Sequence, residues 1–196
     1  MTIAPSPKAQ PRREHLIDVA QALFNQHGFH QAGVDLIMRD SGVSKTTLYK
    51  YFPSKEDLVL EVLKRRSETI RGGIEGRLER LLVGRPDASP AERIGVIVDV
   101  IDEWMNGNAF HGCNFVRAAG EYAEPGNAIR EQAKAHKLAV LALIRAQLEG
   151  YPEAERDALA AQIQLAIEGA VAVAQVGLPG APIRDARKMI DRIIAA

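Results

Sequence analysis

Apolar residues recur at spacings of three and four along most of the chain, and strict alternation is nearly absent. This spacing places one apolar stripe on each of about nine stretches separated by glycine and proline, so it predicts an all-α protein. The first helix is expected after Pro11, with Gly28 as its left-handed stop. Its apolar stripe consists of Leu16, Ile17, Ala20, Leu23 and Phe24.

Two short predicted helices meet at a glycine turn within residues 34–53. Gly42 breaks the first, and Ser44 is expected to cap the second by accepting from the backbone N–H of Thr46 or Thr47. The second helix stops before Pro53 after about two turns. This arrangement predicts a helix-turn-helix, whose second helix enters the major groove of DNA.

Capping signals place two of the later helices. Ser54 and Asp57 read as a capping box, with Asp in the place usually taken by Glu. Ser89-Pro90-Ala91-Glu92 predicts a helix with proline at its first position. Further glycine and proline breaks predict a long helix over about residues 127–150, another over about Glu153 to Val176, and a last one near the C-terminus.

Composition and charge narrow the class of protein. The net charge is zero, but residues 1–66 hold ten Lys/Arg against seven Asp/Glu, a net of +3, which leaves −3 for the remainder. This sign fits a head that faces nucleic acid, although so small a difference also arises by chance. No apolar run approaches the roughly 18 residues of a membrane span, residues 1–11 hold no signal-peptide segment, and the one cysteine forms no internal disulfide. We expect a cytoplasmic protein.

The second short helix carries polar groups suited to DNA. Lys45 and Thr46 stand at its N-terminus, where free N–H groups and the helix dipole favour the approach of a phosphate or a base edge. Lys50 can donate to guanine, and Thr47 offers a methyl group to thymine, so both are expected to read bases. Contacts with the DNA backbone are expected from Tyr49, Tyr51 and Lys55.

Several short segments of this region together carry a resemblance. In chain order they are Gly28-Phe29, Val34-Asp35-Leu36-Ile37, Ser41-Gly42-Val43-Ser44, Leu48-Tyr49-Lys50-Tyr51-Phe52 and Ser54-Lys55-Glu56-Asp57-Leu58. Over residues 12–66 the chain resembles the DNA-binding domain of TetR/AcrR-type regulators. The resemblance implies a dimeric repressor that binds a palindromic operator in double-stranded DNA and is released by a small molecule.

The sequence departs from that family at three positions. Met38 and Ser41 stand where alanine is usual. Gly33 stands where members often have a Thr or Ser that caps the second helix and touches phosphate, so only its backbone N–H remains for this contact.

The resemblance also implies a domain organisation. Residues 1–11 are expected to form a flexible arm, 12–66 the helix-turn-helix domain and 67–196 an effector-binding and dimerisation domain. The central helices line the effector pocket in proteins of this type, and the effector is expected to be partly apolar. The predicted pocket residues are Trp104, Phe110, Phe115, Tyr122 and His136.

Small side chains over residues 169–174 permit close approach of a second helix. The last two helices are therefore expected to pair with those of a second subunit as a four-helix bundle, the alternative being an internal helix of a monomer. The predicted interface comprises Ile163, Ile167, Ala170, Val173, Ala174, Met189 and Ile193.

A few residues are of types that serve in metal sites or catalysis. His111, Cys113, Glu121 and His136 include metal-ligand and nucleophile types, but the chain has no CxxC or HExxH spacing. No metal, cofactor or catalytic residue is therefore expected. Cys113 is either a buried inert thiol or a redox sensor. The alternative functions are an architectural DNA-binding protein without a ligand switch and a helical enzyme.

Overall fold

The computed structural model describes residues 10–108 and 110–195. Within these ranges the chain forms nine α-helices and no strand, which confirms the all-α prediction. Of the predicted N-terminal arm, residues 1–9 lie outside the described residues, whereas Gln10 and Pro11 already belong to the first helix. The helices are α1 Gln10–His27, α2 Val34–Ser41, α3 Lys45–Tyr51, α4 Lys55–Gly84, α5 Pro90–Met105, α6 Asn114–Glu121, α7 Ala128–Ala146, α8 Glu153–Val176 and α9 Pro182–Ala195.

The helices group into two compact units. The first comprises the described residues up to Arg66 together with Asn114–Lys134, and the second comprises Ser67–Cys113 and the described residues from Ala135 onward. A single division after residue 66 remains a prediction of the domain limits. The packing of α6 differs from it, because α6 belongs to the first unit.

The first unit is built on the apolar stripe of α1. Leu16, Ile17 and Phe24 are completely buried, as is Leu48 on α3. Gly28 ends α1 with φ +87° and donates its N–H to the carbonyl of Phe24 at 3.0 Å. Gly42 has φ +64° and ends α2, so the tight turn before α3 depends on a residue without a Cβ.

The core of the second unit draws on α4, α5, α7, α8 and α9. The predicted capping box opens α5: Ser89 Oγ accepts from the N–H of Glu92, and the Glu92 carboxylate accepts from the N–H of Ser89 at 2.8 Å. On α8, six residues are buried in the unit, among them Ile163 and Ile167. By length and composition α8 meets the criteria for a membrane span, but a core helix of a soluble protein meets them as well.

Candidate DNA-binding interface

Helix α3 is held at both ends by local bonds. Ser44 Oγ accepts from the N–H of Thr47 at 3.3 Å and lies 2.9 Å from Thr47 Oγ1, which confirms the predicted cap. At the other end, Phe52 has an extended backbone and donates its N–H to the carbonyl of Leu48. Because Leu48 anchors the helix in the unit core, the side chains on the opposite face point to solvent.

The face of α3 opposite Leu48 carries most of the predicted DNA contacts. Lys45, Thr46, Tyr49 and Lys50 are exposed, while Thr47 and Tyr51 are partly exposed. Two ammonium groups and four hydroxyl-bearing side chains therefore lie on one short helix in contact with water. Such a face can meet both phosphates and base edges in a major groove.

Lys55 begins α4 directly after α3 and is less available than predicted. Its ammonium donates to the main-chain oxygen of His30 at 3.1 Å. Burial lowers the pKa of Lys55, against the opposing influence of Glu56 and Glu121. One of its three N–H groups is thus used within the chain, and only the other two remain for a phosphate.

Gly33 requires a correction. Its N–H donates to the main-chain oxygen of Gln31 at 2.8 Å, so it is not available to a phosphate as predicted. Gly33 is the N-cap of α2 with an extended backbone, φ −68° and ψ 160°, and no side chain caps the helix. The space where a Cβ would stand is open, with no heavy atom within 4 Å.

Side chains of α6 cap the end of α1, which the sequence analysis missed. The Glu121 carboxylate accepts from the N–H groups of Phe29 at 3.1 Å and His30 at 2.6 Å. Arg117 donates to the carbonyls of Phe24 at 3.3 Å and Asn25 at 2.9 Å. The partners are about ninety residues apart in sequence, and the only local signal is the glycine at position 28.

The five predicted pocket residues do not lie in one unit. Phe115 and Tyr122 belong to the first unit, where the Tyr122 ring packs 4.7 Å from the ring of His30 and 6.4 Å from that of Phe29. Both therefore pack within the first unit, and their place in an effector pocket stays a prediction. The Tyr122 hydroxyl is buried without a hydrogen-bond partner in the described part of the chain, and burial raises its pKa to about 12.

The other three predicted pocket residues belong to the second unit. Trp104 and Phe110 meet edge to face with ring centroids 5.0 Å apart. His136 is 5% exposed, and its Nδ1 lies 2.9 Å from the hydroxyl of Ser67, which is equally buried. Four residues along α4 from Ser67, Arg71 has a buried Nε without a partner among the described residues. Polar atoms of Ser67, His136 and Arg71 are thus buried in the second unit.

The structure gives no support to a metal site. Among residues 10–108 and 110–195, no three His, Cys, Asp or Glu side chains are placed to hold a metal ion. Glu121 belongs to the first unit and Cys113 to the second. Cys113 is 8% exposed, close to the Lys137 ammonium, which also donates to Glu168 at 2.5 Å. Burial lowers the pKa of Lys137, but the attraction of Cys113 and Glu168 outweighs it, and the pKa is raised.

The predicted dimer interface needs a partial correction. Ile163, Ile167 and Ala170 lie in the core of their own unit, at most 5% exposed, and cannot meet a second subunit. Ala174 and Ile193 are partly exposed. Four large apolar side chains are exposed on the two helices: Val173 (36%) and Met189 (53%), which were predicted, and Leu165 (71%) and Val176 (75%), which were not.

Family models match most of both units. Residues 16–62 match the model for bacterial regulatory proteins of the tetR family, and residues 90–189 match the C-terminal domain of LmrA/YxaF-like transcriptional regulators. Among curated relatives, the transcriptional activator FasR of Mycolicibacterium smegmatis is 40% identical over 34% of this chain, a match that spans 31% of FasR. The regulator YxaF of Bacillus subtilis is 26% identical over 81% of this chain and 82% of its own length.

Solved structures of TetR-type regulators have the same fold. SCO4454 from Streptomyces coelicolor superposes with a TM-score of 0.82 at 22% identity, covering 95% of each chain. A regulator from Chloroflexus aurantiacus superposes with a TM-score of 0.81 at 25% identity, covering 97% of each. Since one family model alone covers more than half of the 196 residues, this chain belongs to the TetR family of DNA-binding transcriptional regulators, which are not enzymes.

Proposed function

We propose that this chain is a cytoplasmic repressor that binds a palindromic operator as a homodimer and is released by a small-molecule effector. The observation that carries the proposal is the exposure of Lys45, Thr46, Tyr49 and Lys50 on a helix anchored by buried Leu48. In helix-turn-helix proteins the recognition helix packs on the core through one face and exposes polar side chains to the major groove on the other.

Within that proposal the residues of α3 have separate roles. Lys45 and Thr46, at the start of the helix, position the protein on phosphates. Thr47 engages its hydroxyl with Ser44, which leaves its methyl group to contact thymine. Lys50 donates to guanine.

The exposed apolar side chains of α8 and α9 support the dimer. Leu165, Val173 and Val176 recur along one side of α8, interleaved with exposed Gly169 and Ala172. Burying this stripe against its copy removes apolar surface from water, and the small residues allow the helices to approach closely. In the dimer, two reader helices would occupy half-sites about one turn of DNA, 34–36 Å, apart.

The second unit supplies groups suited to an effector. The Trp104–Phe110 pair offers aromatic surface, while the Ser67–His136 pair and Arg71 offer polar contacts. An effector releases DNA only by binding the DNA-incompetent state more tightly, and a nearly complete switch needs about 5.5 kcal/mol of differential affinity. The buried Nε of Arg71, which has no partner among the described residues, favours an effector that carries an acidic or strongly polar group as well as an apolar part.

The test is selection of bound duplexes from random-sequence DNA by the full-length chain, with and without cell extract. We expect a palindrome with half-sites about one turn apart, and its release by a component of the extract. Lys50→Ala should change the selected sequence, while Lys45→Ala should weaken binding to every sequence and lower the salt slope by about one. Binding without a preferred palindrome would instead favour the architectural function, and a palindrome that no extract releases would remove the effector from the proposal.

A further inference from the structure

We propose that Glu121, on α6, is a positioning residue for DNA binding: it fixes the turn that enters the helix-turn-helix without touching DNA itself. This inference rests on the proposed DNA-binding function and adds a residue that lies far from the motif in sequence. It is carried by hydrogen bonds within the first unit.

The Glu121 carboxylate holds the turn with both of its oxygens. Oε1 accepts from the N–H of Phe29 at 3.1 Å, and Oε2 accepts from the N–H of His30 at 2.6 Å. The ring Nε2 of His30 also lies 2.7 Å from the main-chain oxygen of Glu121, which makes a second bond between His30 and Glu121 and a third between Glu121 and the turn. Hydrogen bonds to a charged acceptor are stronger than those between neutral groups.

The Glu121 carboxylate packs closely against Gly28. A Cβ at position 28 would lie 2.8 Å from Glu121 Oε1, so a side chain there would displace the carboxylate from this position. Along the same face of α6, Arg117 donates to the carbonyls of Phe24 and Asn25, and Asn114 donates to the Asn25 side chain. Helix α6 thus satisfies carbonyls at the end of α1 and N–H groups just beyond it.

His30 connects this turn to the far end of the motif. Its main-chain oxygen accepts from Lys55 Nζ at 3.1 Å, and Lys55 is the first residue of α4. Residues 31–54, which contain α2 and α3, therefore lie between His30 and Lys55, and these two residues are joined by a hydrogen bond. Because Glu121 bonds to the N–H of His30 and Lys55 bonds to its carbonyl, a shift of His30 on loss of Glu121 would act on both ends of the motif.

The location of Glu121 in the sequence gives the contact a regulatory meaning. Residue 121 lies within the segment matched by the LmrA/YxaF-like C-terminal model, residues 90–189, yet α6 packs in the same unit as α1 to α3. A displacement of α6 would consequently be felt at the turn before α2. DNA affinity is thus expected to depend on a side chain outside the matched DNA-binding segment, residues 16–62.

The experiment compares the full-length chain with Glu121→Gln, using the duplex that the wild-type chain selects from random DNA. Glutamine keeps the size of the side chain but replaces one acceptor oxygen with a donor that faces an N–H. We expect DNA affinity to fall roughly tenfold or more, with an unchanged slope of affinity against salt because no phosphate contact is lost. Exposed Glu124 provides the matched control, since Glu124→Gln removes the same charge nearby and should bind like the wild type.

Hydrogen exchange of the amides of Phe29 and His30 gives a second readout that needs no DNA. Both should be protected in the wild type and exchange faster in Glu121→Gln, while the amides within α3 stay protected, which separates local positioning from general loss of fold. Wild-type affinity in the folded variant, or a lowered salt slope, would overturn the inference. So would wild-type Phe29 and His30 amides that exchange as fast as an unstructured peptide, a result that decides the question even if the variant fails to fold. If the wild type selects no duplex, the proposed function fails, whereas exchange still reports whether Glu121 holds the turn.

Discussion

The hydroxyl of Ser67 lies 2.9 Å from Nδ1 of His136, and both side chains are only 5% exposed. Removing the hydroxyl by Ser67→Ala deprives a buried imidazole of a partner, which should lower the free energy of unfolding by about 1–3 kcal/mol. Urea denaturation measures the change. The double-mutant cycle with His136→Gln should yield a coupling energy above about 0.5 kcal/mol, and strictly additive effects would contradict the pairing.

The hydroxyl of Tyr122 is buried, and we expect that removing it does not reduce the stability of the protein. Because this group has no hydrogen-bond partner in the described part of the chain, Tyr122→Phe removes a desolvated polar atom and should leave stability unchanged or raise it by about 1 kcal/mol. Thermal and urea unfolding measure the difference. A loss of more than about 1 kcal/mol would show that the hydroxyl is bonded after all.

Tyr122 also predicts a pH dependence. Burial raises its pKa from the ordinary value near 10.0 to about 12, so the unfolded chain loses this proton first. Relative to Tyr122→Phe, the stability of the wild type is constant below pH 10 and declines as the pH rises toward 12. The unfolding free energy of the wild type minus that of Tyr122→Phe should therefore fall across this range, and a flat difference would argue against the raised pKa.

Gly33 predicts a gain of function. The site is open and has φ −68°, which threonine adopts without strain. Gly33→Thr should cap α2, raise stability by a few tenths of a kcal/mol and offer a hydroxyl to phosphate. We expect tighter binding to all DNA sequences in a fluorescence-anisotropy titration. Gly33→Ala, which adds a methyl group without a hydroxyl, is the control and should not tighten binding.

Thr47 allows its methyl group and its hydroxyl to be tested separately. The hydroxyl pairs with Ser44 at 2.9 Å, so we expect DNA to be read by the methyl group. Thr47→Val should keep the selected base preference with a small loss of stability, while Thr47→Ser should keep the cap and lose discrimination for thymine worth about 1 kcal/mol or more. The opposite ranking in duplex selection would assign the reading to the hydroxyl.

Leu165 tests the proposed dimer. It is 71% exposed on α8, and Leu165→Glu would place charges at the interface of two copies. Light scattering should show the wild type as a dimer and the variant as a monomer at micromolar concentration. Val83, 86% exposed at the end of α4, provides the control, because Val83→Glu adds the same charge elsewhere. Equal dissociation of both variants would contradict the assignment.

Local signals in the sequence predicted the helices well. The predicted bounds of α8, Glu153–Val176, were confirmed. The caps at Ser44, Ser54 and Ser89 were confirmed as well, because capping depends on residues only three positions apart in the sequence. Helix α7 ends at Ala146, earlier than predicted. The N–H groups of Gln147 and Leu148 donate to carbonyls three residues before them, which is the spacing of a tighter turn.

The faces of α8 and the partners of α6 were beyond reach of the sequence. Helix α8 is apolar on nearly every side, so periodicity does not distinguish buried Ile163 from exposed Leu165. The residue type of Glu121 suits a metal ligand, but its carboxylate accepts from main-chain N–H groups, and no sequence pattern predicts such contacts. The pairing of Ser67 with His136 spans 69 positions and depends on tertiary packing alone.

The capping of α1 by Arg117 and Glu121 affects how DNA specificity can be transferred from one such regulator to another. A chimaera that joins residues 1–66 of this chain to the remainder of a relative keeps the reader helix but inherits a foreign α6. Unless that α6 carries an arginine and a glutamate at matching places, the carbonyls of Phe24 and Asn25 lose their bonds to Arg117, and the amides of Phe29 and His30 lose their bonds to Glu121. Transferring the operator preference therefore requires moving residues 114–121 together with residues 1–66.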